Sequence, residues 1–384
     1  MLQANAVMGR SRGGNRVSWI ALWMAAAMVC LTPITLSRIA PAEELAQRPA
    51  APDFSGKIWL NSPPLTLKEL RGKVVLVDFW EYTCINCIRT FPYLRRWNEL
   101  YGPAGLVIIG VHTPEFAFAK NPANVAAAVK RFGFTFPVVV DSDDAIWNAF
   151  HNQAWPADYL IDKDGRVAYV HFGEGDYGTF EGEIQKLLKE ANPRLDFTSA
   201  KYALPADANA DMTASVCRRA TPETYLGADR SDNLANPGGE DPHREVRYVA
   251  PSAVPIDDFA LSGDWTAAPE FVRHDRRKNA LEDSVELHYQ AKSVYLVAGS
   301  DDGTVKPLYV VQDGQPLPKS AWGVDIRIDS SGRTYLPLSG KRMYYVVNNP
   351  EFGEHTLTLY ATAPALSLYS FTFGNNCENQ FAHR

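Results

Sequence analysis

The sequence predicts an α/β domain followed by an all-β sandwich of jelly-roll type, and three observations carry that reading. Between residues 50 and 195, apolar strand-like runs alternate with helical patterns, as in a layered α/β unit. From about Tyr248 onward, strands follow one another at regular turns with no helical stretch. The apolar run Val74–Trp80 leads through Glu81-Tyr82-Thr83 into Cys84-Ile85-Asn86-Cys87, and Ile88, Phe91, Leu94, Trp97 and Leu100 then recur at helical spacing. Strand, Cys-x-x-Cys, helix is the setting of a redox dithiol. A zinc site would call for a second ligand pair, and the chain has no second Cys-x-x-Cys.

The elements follow in order. Arg10, Arg12 and Arg16 precede an uncharged apolar stretch, Val17–Leu36, and Ala40-Pro41-Ala42 forms a small-x-small site. Residues 1–42 are therefore read as a signal peptide or, since the stretch is long enough to span a bilayer, an uncleaved N-terminal anchor. Either places the body in a periplasmic or other extracytoplasmic, oxidising compartment, secreted or tethered. Cys30 inside the stretch is read as a passive apolar thiol.

Residues 43–52 are a spacer. Residues 54–73, with short apolar alternations around Pro63-Pro64, predict a small hairpin. Strand Val74–Trp80 and helix Cys84–Tyr101 follow. Gly105–Val111 reads as a buried central strand. Asn121-Pro122 caps a helix over Ala123–Phe132. Phe136–Val140 is a strand and Ala145–Phe150 a short helix. Pro156 enters a strand that turns at Lys163-Asp164-Gly165 into Arg166–Phe172. A helix from about Thr179 to Glu190 closes a three-layer domain over residues 50–195.

Residues 196–240, punctuated by proline, form a linker or strap. Residues 241–384 hold the β domain. Its strands include Ser284–Val297, Leu308–Val311, Thr334–Leu338, Met343–Val347, His355–Tyr360 and Ala365–Phe373. Turns fall at Asp301-Asp302-Gly303, Asp313-Gly314, Ser331-Gly332 and Phe352-Gly353.

The formal charge is −6 and 46% of residues are hydrophobic, with no basic cluster in the body, which argues against a nucleic-acid partner. Cys84, at the start of a helix, meets unpaired backbone N–H groups and the positive end of the helix dipole. A lowered pKa is expected there, which would make it the attacking sulfur. Cys87, one turn later, can resolve a mixed disulfide. Once Cys30 is set aside, Cys217 and Cys377 remain; their even number suggests a structural disulfide, although spacing alone does not give connectivity.

Val74–Cys87 resembles the strand–helix junction of the thioredoxin superfamily. Residues 50–195 look like the TlpA type. The run Asp78-Phe79-Trp80-Glu81-Tyr82-Thr83-Cys84-Ile85-Asn86-Cys87, with Gly110-Val111-His112-Thr113-Pro114-Glu115-Phe116, looks like the soluble part of DipZ-type proteins. Those join a thioredoxin-like α/β domain to a carbohydrate-binding-module-like β domain.

The resemblance implies four roles. Asp78 is the buried acid beneath the dithiol, able to exchange the Cys87 proton. Pro156 is a cis proline that presents the backbone of Trp155 to a substrate strand. Glu115 is an acid near the cysteines. The fourth is disulfide exchange with partner proteins, with apocytochrome c thiols or other periplasmic proteins as expected substrates and no organic cofactor or metal required. DipZ-type proteins also carry a multi-span membrane module that this chain lacks, so the resemblance implies a separate membrane electron donor of the CcdA type. Ile85-Asn86 replaces the proline-containing dipeptide frequent in the family, which leaves the direction of electron flow open.

Trp80 and Tyr82 flank the dithiol and are candidates for an apolar substrate platform. His112 is a candidate partner of Cys84, against a structural role. Asp301-Asp302-Gly303 is an ordinary turn rather than a calcium loop. Trp265, Trp322, Tyr344 and Tyr345 are candidates for a glycan platform on the β domain, against a core role. The reading is an exported thiol–disulfide oxidoreductase that reduces disulfides of partner proteins. Its rivals are a peroxiredoxin-like peroxidase and an envelope glycan- or protein-binding protein with an accessory redox domain.

Overall fold

The computed structural model describes residues 43–44, 48–202, 217–239 and 244–375. The segment read as signal or anchor, with Cys30, lies outside the described residues, as does Cys377. Among the described residues no helix is long and apolar enough to cross a membrane.

The α/β domain runs β1 (Glu43–Glu44), β2 (Ile58–Leu60), β3 (Val74–Trp80), α1 (Ile85–Tyr101), β4 (Leu106–His112), α2 (Pro122–Phe132), β5 (Val138–Val140), α3 (Ala145–Ala149), β6 (Ala157–Ile161), β7 (Val167–Phe172) and α4 (Tyr177–Ala191). Its sheet has the order β1-β7-β6-β3-β4-β5-β2, with β3 central, parallel to β4 and antiparallel to β6. Every residue of β3 is buried, as a strand covered on both faces requires.

Alternation along β3 separates two cores. Val74, Leu76 and Trp80 pack with α1 and α4, through Phe91, Leu94, Trp97, Ile184 and Leu188. Val75, Val77 and Phe79 pack on the opposite face with Ile146 and Phe150. Asp78 therefore lies on the face that α1 covers. The start of α2 follows its sequence signal: the Asn121 side chain accepts from Ala123 N–H at 3.0 Å, and Gly133 ends the helix at φ 67°.

The expected hairpin over residues 54–73 does not form. Ile58–Leu60 pairs instead with Val138–Val140 at the far sheet edge, and Leu65–Leu70 runs in turns that bury Leu67. The apolar alternation there reflects one edge strand and one packed turn.

The β domain comprises β8 (Thr224–Tyr225), β9 (Glu245–Tyr248), β10 (Phe259–Ala267), β11 (Val272–His274), β12 (Asp283–Ser300), β13 (Lys306–Gln312), β14 (Gln315–Pro316), β15 (Arg327–Ile328), β16 (Thr334–Leu338), β17 (Arg342–Ala361) and β18 (Leu366–Gly374). β12 pairs with β10 and the end of β17 through its first half. Past a register shift it pairs with the start of β17 and with β18. The β12–β18 pairing closes the path β12-β10-β11-β18 around a core that includes Phe259, Trp265, Leu287, Tyr344 and Phe371.

Two details depart from the sequence reading. Phe352-Gly353 is not a turn; β17 runs through it as one long strand. Ala291 faces Gly353 while Ser293 faces Asn348, so the extra β17 residues bulge between those pairs. β8, inside the expected strap, pairs with β18 and belongs to the β domain.

The two domains share a core. Tyr295, Val297, Met343 and Tyr369 of the β domain join the cluster that holds Ile85, Cys87, Ile88 and Phe91.

Candidate active site

Cys84 caps α1 in extended conformation, φ −77° and ψ 111°, and its sulfur accepts from Cys87 N–H at 3.3 Å. Both thiols are free; Cys84 is half-buried and Cys87 fully buried. The helix start thus orients Cys84 as expected, but its thiol is not lowered. Burial pushes it up, with the Glu115 and Glu223 carboxylates adding to the shift, while hydrogen bonding to Cys87 pulls it down. Burial also pushes the Cys87 thiol well up, helped by Cys84 and by the charge of Asp78.

Behind Cys87 stands a pair of acids. Asp78 on β3 faces Asp158 on β6 directly across the ladder, and both are buried. Burial and the neighbouring Asp158 hold the Asp78 carboxyl far above the usual carboxylate range, and burial pushes Asp158 up to about 7. Two like charges in an apolar sheet do not both ionise readily, so the pair is suited to hold and release a proton.

A third group of residues comes from both domains. Glu115, in the loop after β4, accepts from Tyr225 Oη at 2.7 Å and from Arg230 Nη1 at 3.0 Å. The Arg230 guanidinium lies 3.7 Å from the Tyr225 ring centre. The Ala117 N–H donates to both Glu270 oxygens at 3.0 and 3.1 Å.

Pro156 is cis, and it precedes the β6 residue that pairs with Phe79, which sets it at the dithiol end of β3. The half-buried Trp155 beside it packs on Trp147 at 4.3 Å between ring centres.

Trp80 and Tyr82 do not form a platform. Trp80 is fully buried against Phe91, His112 and Phe134, and Tyr82 is buried between His112 and Phe118. Trp80 is covered by its own domain, through α1 and the β4–β5 region, whereas Tyr82 lies beside Lys341 and Arg342 of the β domain. His112 does not turn to Cys84: its Nε2 lies 3.8 Å from buried Glu81 Oε1, and its ring stacks on Tyr82.

On the β domain, Trp265 and Tyr344 are fully buried. The half-buried Trp322 donates to Leu317 O at 2.8 Å, and Tyr345 packs on Tyr295. These four aromatics are therefore core and interface residues rather than an exposed glycan platform. Asp302 is occupied by Ser300, Thr304 and Lys306, as in an ordinary turn. Cys217 is disulfide-bonded.

A Redoxin family profile matches residues 46–188, and a profile described as a thioredoxin-like C-terminal domain matches residues 221–374. Protein DipZ of Mycobacterium bovis is 37% identical over 339 residues, covering 87% of this chain and 44% of DipZ. The chain thus spans less than half the length of that relative. The thiol-disulfide oxidoreductase YkuV of Bacillus subtilis is 30% identical over 145 residues, 37% of this chain and 97% of YkuV. The chain belongs to the thioredoxin-like thiol–disulfide oxidoreductases. Another such oxidoreductase, ResA of Geobacillus thermodenitrificans, is 36% identical over 107 residues, 28% of this chain and 59% of ResA.

Several residues of this oxidoreductase site escaped the sequence reading. Asp158 carried a signal, being an acid in an apolar strand two residues past Pro156. Glu81 sits inside the quoted motif; its carboxylate accepts from the Thr83 backbone and hydroxyl. Tyr225 and Arg230 carried none, since only tertiary folding brings the strap to Glu115.

Proposed function

We propose that the chain is an exported oxidoreductase that reduces disulfides of partner proteins through Cys84 and Cys87. The observation that carries this is the stacked arrangement of half-buried Cys84, buried Cys87 and the Asp78–Asp158 pair behind it.

The Cys84 thiolate attacks one sulfur of the partner's disulfide, and the other leaves as a thiolate that takes a proton. Cys87 gives its proton to the acid pair and attacks Cys84. The partner's second sulfur leaves and is protonated in turn. Two electrons and two protons pass to the partner, and a Cys84–Cys87 disulfide remains. Trp155, at cis-Pro156, offers the edge on which a partner strand can lie. A membrane dithiol donor of the CcdA type restores the reduced form. The arginines ahead of Val17–Leu36 support export.

The test is a redox titration of the protein, with thiols counted by mass tagging, alongside reduction of insulin disulfides. A Cys84/Cys87 couple below about −230 mV, with reductase activity lost in Cys84→Ser, supports the reading. A couple near the strong-oxidant end, or activity that survives Cys84→Ser, rejects it.

A further inference from the structure

Glu115 belongs to the α/β domain, yet the groups that hold it do not. Tyr225 Oη and Arg230 Nη1 both donate to the same oxygen, Oε1, and Arg230 is itself seated on the Tyr225 and Phe116 rings. The rest of the Glu115 loop is gripped from the same side. Glu270 binds the Ala117 N–H, and Tyr369 packs on Phe116 and Phe118 at 5.2 and 4.9 Å. Glu223, two residues before Tyr225, accepts from Thr372 Oγ1 at 3.4 Å and faces Glu115.

We propose that the β domain completes the dithiol site, with Tyr225 and Arg230 as positioning residues that hold Glu115, and Glu223 as a second carboxylate facing it, so that the domain interface sets how readily Cys84 loses its proton. This rests on the oxidoreductase reading above and names how that same site is tuned.

The charged and titratable neighbours fix the direction. Cys84 accepts a hydrogen bond from Cys87 N–H and feels the charges of Glu115 on the β4 loop and Glu223 ahead of β8; Glu115 in turn feels Glu81 and is bonded by Tyr225 and Arg230. Arg230 is the cation that offsets this acidic surrounding. Burial holds both glutamates above the usual carboxylate range, Glu223 up to about 8, and whichever of them is ionised where the thiol titrates opposes the thiolate. Removing Arg230 leaves their charge uncompensated and disfavours the thiolate, while removing either carboxylate favours it.

The experiment uses the full chain, reduced. The alkylation rate of the Cys84 peptide is followed by mass spectrometry as a function of pH, beside insulin reduction at one pH. Arg230→Ala should raise the Cys84 midpoint by roughly half a pH unit, the size expected for one partly exposed charge. Arg230→Lys should restore most of that shift. Glu115→Gln and Glu223→Gln should lower the midpoint. Tyr225→Phe keeps the ring beneath Arg230 and removes a neutral donor to Glu115, so it should move the midpoint by less than Arg230→Ala does.

Midpoints of Arg230→Ala and Glu223→Gln that coincide with the parent's, in folded protein, would overturn the proposal. An equal shift in Arg230→Lys and Arg230→Ala would overturn it too, since a merely structural contact would be lost in both. If the parent fails to reduce disulfides while its Cys84 titrates as described, the oxidoreductase reading fails and the interface tuning stands. If the parent reduces insulin and the midpoints do not move, the tuning alone fails.

Discussion

At the scale of single residues, the Asp78–Asp158 pair is the feature whose consequences reach furthest. In the unfolded chain both carboxyls titrate near 4. In the folded chain burial raises both, so folding binds protons and stability falls as pH rises from about 4 through the folded value of about 7 for Asp158. Asp158→Asn removes one of the two charges. The melting temperature of this variant relative to the parent should therefore rise between pH 4 and pH 8, by the equivalent of about 1–3 kcal/mol. A difference independent of pH would show that the pair is not strained by ionisation. In the proposed mechanism the same pair takes the Cys87 proton. Asp78→Asn should slow resolution by Cys87 more than attack by Cys84, and single-turnover rates that fall equally in both steps would rule this out. The sequence marks Cys84 and Cys87 by a local motif, and Asp78 and Pro156 only through the resemblance that this motif carries; the structure places Asp78 buried on β3 and Pro156 in a cis peptide. Asp158 was missed because its meaning comes from the register that sets it opposite Asp78, and register is not local.

At the scale of elements, the α/β domain was readable because its strands and helices announce themselves by period and cap. The continuous apolar run of β3, the Asn121-Pro122 start of α2 and the Gly165 turn each follow from a few neighbouring residues. Long-range pairing was less visible. The Phe352-Gly353 dipeptide has turn composition, yet β17 continues through it and bulges out of the β12 pairing instead of reversing. Gly110 shows a similar dependence on packing. On β4 it lies opposite Asp78, and a Cβ there would fall 2.9 Å from Trp80 Nε1 and 3.3 Å from Phe136 and Val138. Its backbone is unremarkable in sequence terms; what demands glycine is the indole of the neighbouring strand. Gly110→Ala should destabilise the protein by about 1–3 kcal/mol, as overpacking of a filled core does. Chemical denaturation checks it, and an unchanged midpoint would mean that Trp80 can move aside without cost.

At the scale of the whole molecule, the two domains are joined by a core rather than by a strap alone. Two domains were expected from length and from the change of pattern, since an alternating strand–helix half and a strand-only half follow one another along the chain. Their contact was not legible, because Tyr295, Met343 and Tyr369 read as ordinary strand residues until folding lays them on Ile88, Phe116 and Phe118. A core that crosses a domain boundary couples the unfolding of both sides. Tyr369 is the sharpest test of that coupling: it is 2% exposed and meets Phe116 and Phe118 of one domain and Phe271 of the other. Truncation of a buried aromatic costs about 3–5 kcal/mol, and here much of that loss falls on the interface. The parent should unfold in a single calorimetric transition. Tyr369→Ala should split it into two, with the α/β domain melting first, because that domain would lose the grip on its Glu115–Phe118 loop while the closed β12–β18 pairing persists. One transition at an unchanged temperature in the variant would show that the domains are held elsewhere.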